Sequence, residues 1–375
     1  MKNFKAGTWI RQNGFKSFQP GLLNRPWQMD DMSVLALLSK ADRFLGRLDM
    51  YSEYVDIDLF IRMHVAKEAT QSSRIEGTQT RIGDVFYKKT DLRTEKRNDW
   101  EEVQNYIHAL NESIKTLQKL PLSSRLIKMA HKILMRGVRG HQKSPGEFRT
   151  SQNWIGGASL ADAVFIPPAH TEIAGLMSDL ERFADTRDDN LPDLIKIAMI
   201  HYQFETIHPF LDGNGRTGRL LITLYLVDKG ILKRPVLYLS DFFERHRTLY
   251  YDNLTGVRTH DNMAQWLKFF LVGVIETAQK GTDTLNGVMR LKQSVESQIA
   301  AFGKRGADAR ILLDHLYKNP VVSAPETILL IGKTPQTAYN LIADLEKLGI
   351  LKETTGAQRN KLFSFEPYIK LFETL

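Results

Sequence analysis

Apolar residues recur at helical spacing along most of the chain. Leu35, Leu38, Ala41, Leu45 and Leu48 predict one helix, with Asp30 or Asp31 as its cap. Leu59, Met63, Ala66 and Ala69 predict a second, from about Asp56 to Glu76. A third starts at a cap on Asp99 and reaches about Leu117, with Val103, Ile107, Leu110 and Ile114 on its apolar face. Residues 121–124 open a fourth that carries Leu126, Ile127, Ala130, Ile133 and Leu134. The period continues over 171–184. After a polar loop at 185–190, Pro192 sits in the first turn of a helix through Ile195, Ala198, Met199 and Tyr202. Helices follow over 220–227 and beyond, 240–254 and 263–277.

Three regions depart from this pattern. Residues 1–29 mix Gly, Asn, Gln and Pro with Trp9, Phe15, Phe18 and Trp27, and read as extended or looped chain. Residues 81–97 read as a polar loop with short turns. Residues 137–168 are rich in Gly and Pro and hold two β-prone pieces, 152–155 and 163–166, around Gly156-Gly157. They predict a small hairpin in an otherwise helical domain. Past a polar stretch at 278–306, helices are expected over 309–317 and 324–331, with a third opened by Thr334-Pro335 and closed by Gly349. Strands are expected at 351–355 and 361–365. The fold class is mainly α.

Composition narrows the partners. At 375 residues the chain suits two or three domains on a prior of about 150 residues each. The net charge of +8 is mild and spread out, so it permits a nucleic-acid surface without arguing for one. There is no cysteine, which removes disulfides and thiolate metal sites. No apolar run approaches the ~20 residues of a membrane span, and the start lacks the apolar core of a signal peptide. The expectation is a cytoplasmic protein with no membrane contact.

The chemistry concentrates in twelve consecutive residues: His208-Pro209-Phe210-Leu211-Asp212-Gly213-Asn214-Gly215-Arg216-Thr217-Gly218-Arg219. They lie between two helical runs, so the loop empties into a helix N-terminus, where unpaired N–H groups and the macrodipole favour an anion. Gly213 and Gly215 let a phosphate approach the backbone. Arg216 and Arg219, three apart, share a helix face and suit phosphate oxygens. Asp212 is a natural Mg²⁺ ligand, and His208 can take a proton from a hydroxyl. The letters also match G-x-G-x-x-G, but that fingerprint must follow a strand, and here a helix precedes it. The spacing of Arg216-Thr217 is wrong for a P-loop.

This stretch resembles, position by position, the signature HxFx(D/E)GNGRxxR of the Fic family. The resemblance implies a helical Fic domain with a β-hairpin flap that transfers AMP from ATP, with Mg²⁺, to hydroxyls of target proteins and of itself. It makes His208 the general base and Asp212 the metal ligand. Gly213, Asn214 and Gly215, with Thr217 and Gly218 beside them, cradle the phosphates. Arg216 grips the β-phosphate and Arg219 meets the γ-phosphate. Ser72-x-x-x-Glu76-Gly77 matches the family's inhibitory motif (S/T)xxxE(G/N), which implies that Glu76 pairs with Arg219. Without that match Glu76 reads as a solvated glutamate, placed against the helix dipole. The flap, about 148–168 with Ile155 and Gly156 at its centre, would dock the target. Tyr251 corresponds loosely to a tyrosine near the adenine. His108 and His131, which lack a local carboxylate, read as structural or surface residues, and His201 has no assigned chemistry.

The C-terminal helices and strands resemble a winged helix-turn-helix. The implied organisation is 1–95 with the inhibitory helix at about 56–77, a catalytic domain at 96–280, a linker helix at 281–306 and the winged helix at 307–375. A homodimer is compatible with this plan. Two alternatives stay open: a DNA-binding regulator that senses nucleotide, and an enzyme that removes AMP.

Overall fold

In a computed structural model, residues 4–54, 57–186, 191–356 and 359–373 are described. The expected start of the second helix at Asp56 and most of the polar loop at 185–190 lie outside them. No helix of the described residues is long and apolar enough to cross a membrane.

The N-terminal region, expected as extended or looped chain, is extended over two strands that pair as an antiparallel hairpin, β1 (Gly7–Arg11) with β2 (Lys16–Pro20). The turn is Gln12-Asn13-Gly14-Phe15, closed by Gln12 N–H on the Phe15 carbonyl at 2.8 Å. Gly14 takes φ +88°, a conformation that Asn-Gly turns favour.

Helix α1 (Met32–Tyr54) begins as expected, with Asp31 accepting the Ser33 and Val34 N–H groups. Helix α2 (Ile57–Ile75) ends one residue before Glu76, and Gly77 follows at φ +104°. Three short 3-10 turns occupy the next segment, down to Lys96. Helix α3 (Arg97–Leu117) starts three residues earlier than predicted, with Lys96 at its cap. Asp99 therefore lies in its first turn rather than at its cap, and its carboxylate accepts the Gln79 N–H at 2.7 Å. Helix α4 (Ser124–Leu134) is capped by the Ser123 hydroxyl.

The expected flap hairpin is reduced to one antiparallel bridge, Ile155 with Phe165. Gly156 and Gly157 both take positive φ and curl the chain. Beyond them the Asp162 carboxylate accepts the Ala158 and Ser159 N–H groups, which removes them from any ladder. The far flank is instead joined to the N-terminal hairpin: Phe18 N–H donates to the Ile166 carbonyl at 2.9 Å.

Helix α5 (Ile173–Asp185) leads to α6 (Asp193–Ile207), whose residues from Leu194 on are buried. Pro192 stands at the N-cap of α6 rather than inside its first turn. Helix α7 (Asn214–Asp228) follows a six-residue connection, His208–Gly213, and packs against α6, α3 and α4. The expected helix at 240–254 is two, α8 (Ser240–Arg245) and α9 (Arg247–His260). Helix α10 (Met263–Ala300) is continuous for 38 residues, so the polar linker stretch begins within it, and α1 lies against its first part.

The C-terminal segment contains α11 (Gly306–Lys318), β3 (Val321–Ser323), α12 (Ala324–Ile331), α13 (Pro335–Lys347), β4 (Lys352–Glu353) and β5 (Leu362–Ser364). The strands form an antiparallel sheet in the order β3-β5-β4. A last helix, α14 (Glu366–Glu373), was not expected. This segment packs on α2, where Phe60 meets Tyr317 and Tyr368 and His64 meets Phe372, and on the 3-10 segment after it, where Lys88 pairs with Glu326 at 2.8 Å.

His64, His131 and His201 are buried, and burial lowers their pKa to about 3, 4 and 3. The unfolded chain protonates them near pH 6.5, so their contribution to stability is present above about 6.5 and is lost as the pH falls toward the folded values. Glu68 and Glu205, both raised by burial, act in the opposite sense and are outnumbered. The urea midpoint should fall between about pH 7 and pH 5. In His64→Phe the slope should be shallower by up to one proton, about 1.4 kcal/mol per pH unit. An unchanged slope would show that His64 takes up its proton alike in the folded and the unfolded chain.

Candidate active site

The site is built where α6 stops and α7 starts. His208 closes α6 in the left-handed region, φ +50°, and Gly213 opens α7 at φ +74°. A left-handed turn at a residue with a Cβ costs about 1–2 kcal/mol, and buried donors offset this at His208. Arg149 Nε donates to the His208 carbonyl at 3.0 Å, and Asn153 Nδ2 donates to the carbonyls of His208 at 3.3 Å and Phe210 at 2.9 Å. Arg149 also donates to the carbonyls of Ser151 and Pro168, which ties both flanks of the flap to this turn. Asn214 closes the loop: its side chain accepts Phe210 N–H and donates to the Phe210 carbonyl, both at 2.8 Å.

His131 underlies the loop. It is a structural residue, as expected, but one of the site: its ring stacks on Phe210 at 3.7 Å, and Nε2 lies 2.9 Å from the Asp212 carbonyl. Asp212 is part-exposed. Its Oδ1 accepts Gly213 N–H at 2.7 Å and its Oδ2 faces Lys143 Nζ at 3.1 Å. Thr217 donates its hydroxyl to the Gly213 carbonyl at 2.8 Å.

The two signature arginines diverge, each into its own ion pair. Arg216 Nη1 binds Glu102 of α3 at 3.0 Å, with both side chains buried, and Arg139 binds the other oxygen of Glu102 at 2.9 Å. Arg219 lies against the end of α2. Its Nη2 donates to Glu76 Oε1 at 2.7 Å and to the Ser72 carbonyl at 2.8 Å, and its Nε donates to the Ser72 hydroxyl at 2.9 Å. Burial pushes the Glu76 carboxyl up, but Arg219 wins and holds it below the usual glutamate value. Burial disfavours the Arg219 charge, and Glu76 overcomes this to hold its pKa above the usual arginine value. A Cβ added at Gly215 would collide with Glu76 Oε1, so that glycine makes room for the carboxylate over the first turn of α7.

Burial, with the Arg258 cation next, lowers the His208 pKa to about 4. The ring is therefore neutral at neutral pH, and its Nδ1 is buried without a hydrogen-bond partner among the described residues. Burial pushes the Glu205 carboxyl, one turn back on α6, up to about 7, and an added Cβ at Gly218 would strike it. Ile155 and Gly156 form the bend of the flap. Tyr251 is 42% exposed and lies within electrostatic reach of Glu76 and Arg219, whereas Tyr250 is buried with its hydroxyl 2.8 Å from His201 Nε2.

Sequence reasoning missed Glu102, Lys143, Arg149, Asn153, Glu205 and Arg258. Arg149 and Asn153 left only a trace, as members of the flap at about 148–168. The others gain meaning from contacts between segments far apart in the chain.

Residues 35–115 match the Fic/DOC family N-terminal region and residues 121–226 match the Fic/DOC family. A relative named protein adenylyltransferase Fic, from Aedes aegypti, is 38% identical over 122 residues, 32% of this chain and 22% of its own length. One of the same name from Drosophila grimshawi is 36% identical over 117 residues, 30% of this chain and 22% of its own. The match thus spans about a fifth of the curated relatives' length. A Fic family protein from Desulfovibrio desulfuricans superposes with a TM-score of 0.57 at 19% identity, covering 91% of this chain and 98% of its own. Fic-1 from C. elegans gives 0.52 at 18% identity, covering 69% and 75%. At these identities the structural likeness concerns the fold.

Glu102→Ala would leave the Arg216 guanidinium buried and unpaired, a loss of roughly 3–5 kcal/mol. Urea unfolding should register it. A loss under about 1 kcal/mol would mean that Arg216 finds another partner at little cost.

Proposed function

This chain belongs to the Fic family, and from that premise we propose that it transfers AMP from ATP to a Ser, Thr or Tyr hydroxyl of a protein, itself included. We propose further that Glu76 holds it inactive. The observation that carries this reading is the buried clasp of Arg219 by Ser72 and Glu76, which lie 147 and 143 residues away in sequence.

The parts have the chemistry that the transfer needs. His208 is neutral and carries a free nitrogen, the state in which it can take a proton from the acceptor hydroxyl. The hydroxyl oxygen would attack the α-phosphorus in line, and the broken P–O bond would leave its electrons on pyrophosphate. The loop Gly213–Gly215 at the start of α7 suits the phosphates. Asp212 fits Mg²⁺: its carboxylate is part-exposed beside that helix N-terminus and already faces a cation, Lys143. The ion would neutralise phosphate charge. Arg216 would have to exchange Glu102 for the β-phosphate, and Tyr251 is exposed where it could meet the adenine.

Inhibition then has a plain cause. While Glu76 occupies Arg219, the guanidinium is not available to a γ-phosphate, and the carboxylate itself would repel one. A triphosphate seated around that obstacle holds its α-phosphorus out of line, and a displacement of about 1 Å can cost a hundredfold in rate.

The C-terminal helices and three-stranded sheet fit a winged helix, and the domain limits given above remain our reading. Lys347 is the one basic residue of α13. That is poor for phosphate contacts, so we assign this unit to bracing α2 rather than to reading DNA.

Glu76→Gly should raise incorporation of label from α-labelled ATP, into itself and into lysate proteins, by roughly a hundredfold. His208→Ala in that background should abolish it. Equal signal with and without Glu76 would remove the inhibitory role, and labelling that survives His208→Ala would remove the base.

A further inference from the structure

The N-terminal hairpin is a basic, partly apolar surface joined to the flap. Before Asp30 the chain carries Lys2, Lys5, Arg11, Lys16 and Arg25 and not one Asp or Glu. In the hairpin Trp9 pairs with Phe18 and Arg11 with Lys16, so these four side chains share one face. That face leans on the flap. Trp9 and Phe18 each lie 6.1 Å from the Phe165 ring, and Phe18 N–H bonds Ile166. On its other side Phe165 receives Arg258 at 3.9 Å, and Arg258 Nε donates to the Thr206 hydroxyl, two residues before His208. The hairpin is thus two side chains from the catalytic turn.

Its outer parts are unusually open for their chemistry. Trp9 is 46% exposed, Ile10 42%, and Val164, beside Phe165 on the flap, 77%. Arg11 and Lys16 are exposed, and among the described residues no ion pair engages either. Beyond β2, β1 has no second strand partner among the described residues, so its outer edge offers free main-chain groups. The nearby carboxylates are already satisfied: Asp162 by Ala158 and Ser159, and Asp261 by Lys5 and the Ala6 N–H.

We propose that this hairpin is the part of the target-docking surface that selects the substrate, and that it takes an extended, acidic protein segment with apolar residues at alternate positions. The inference rests on the AMP-transfer reading for what happens next, but not for the docking itself. Carboxylates of the segment would meet Arg11 and Lys16, and its apolar side chains would cover Trp9 and Val164. Nucleic acid also prefers basic aromatic surfaces. The link from this face through Phe165 and Arg258 to the turn of His208 favours the protein that presents the hydroxyl.

The test uses the full chain without nucleotide. Two short fluorescein-labelled peptides each carry one Thr and alternate apolar residues, with glutamates between them in one and lysines in the other. Fluorescence anisotropy at low salt should show the acidic peptide binding roughly tenfold tighter. The preference should shrink at high salt. Arg11→Glu/Lys16→Glu should invert it while the thermal midpoint stays unchanged, and Lys16→Glu alone should reduce it. Equal affinities, no binding of either peptide, or a preference indifferent to charge reversal would overturn the proposal. So would tighter binding of a labelled single-stranded oligonucleotide, which would assign the surface to nucleic acid. Because binding is read without ATP, its failure leaves the AMP-transfer reading standing, and failure of labelling leaves the binding result intact.

Discussion

The structure depends on a guanidinium with nowhere else to go. Arg219 is buried among α2, α6 and α7, and a buried cation must be paired or be very costly. Ser72 supplies a hydroxyl and a carbonyl, and Glu76 supplies the charge. The clasp therefore fixes the end of α2 against the start of α7. In the proposed enzyme the group that most needs a partner in the resting fold is also the one that a nucleotide would claim. Rest and work then differ by which anion satisfies the same cation.

The loop that carries His208 obeys a similar logic. Its left-handed corner is held by Arg149 and Asn153 through the backbone, not through the imidazole. The ring is left with an unpartnered nitrogen, while its direction is set by carbonyls locked in place. Since Arg149 reaches both flanks of the flap as well, the base and the surface facing it are parts of one hydrogen-bonded body.

Much of this was legible in the chain. The His208–Arg219 stretch is contiguous, so its loop and helix could be read directly, whereas the clasp was implied only by the resemblance of Ser72-x-x-x-Glu76-Gly77 to the family's inhibitory motif. Arg216 was less transparent, because its partner Glu102 lies 114 positions away and nothing near either residue announces the pair. His131 looked idle for want of a local ligand, yet it stacks on Phe210 across the fold. The N-terminal hairpin carried a local signal, Asn13-Gly14, but its alternation is weak because β1 is mostly exposed and shows no buried face. The flap erred the other way: β-prone residues were present, and two glycines with an Asp-closed turn consumed the donors that a ladder would use.

Helix α10 has a further consequence. At about 1.5 Å per residue it is a rod of roughly 57 Å, with α1 against its first part and the C-terminal unit at its far end. That unit also touches α2 directly, through Phe60 and His64, and the segment after α2 through Lys88. The geometry is therefore a closed mechanical circuit. One extra residue in α10 would swing the distal unit by about 100° and advance it about 1.5 Å, taking its aromatic contacts off the back of α2. The length of a helix with no catalytic group is thus held to the single residue by what happens at the opposite face of another.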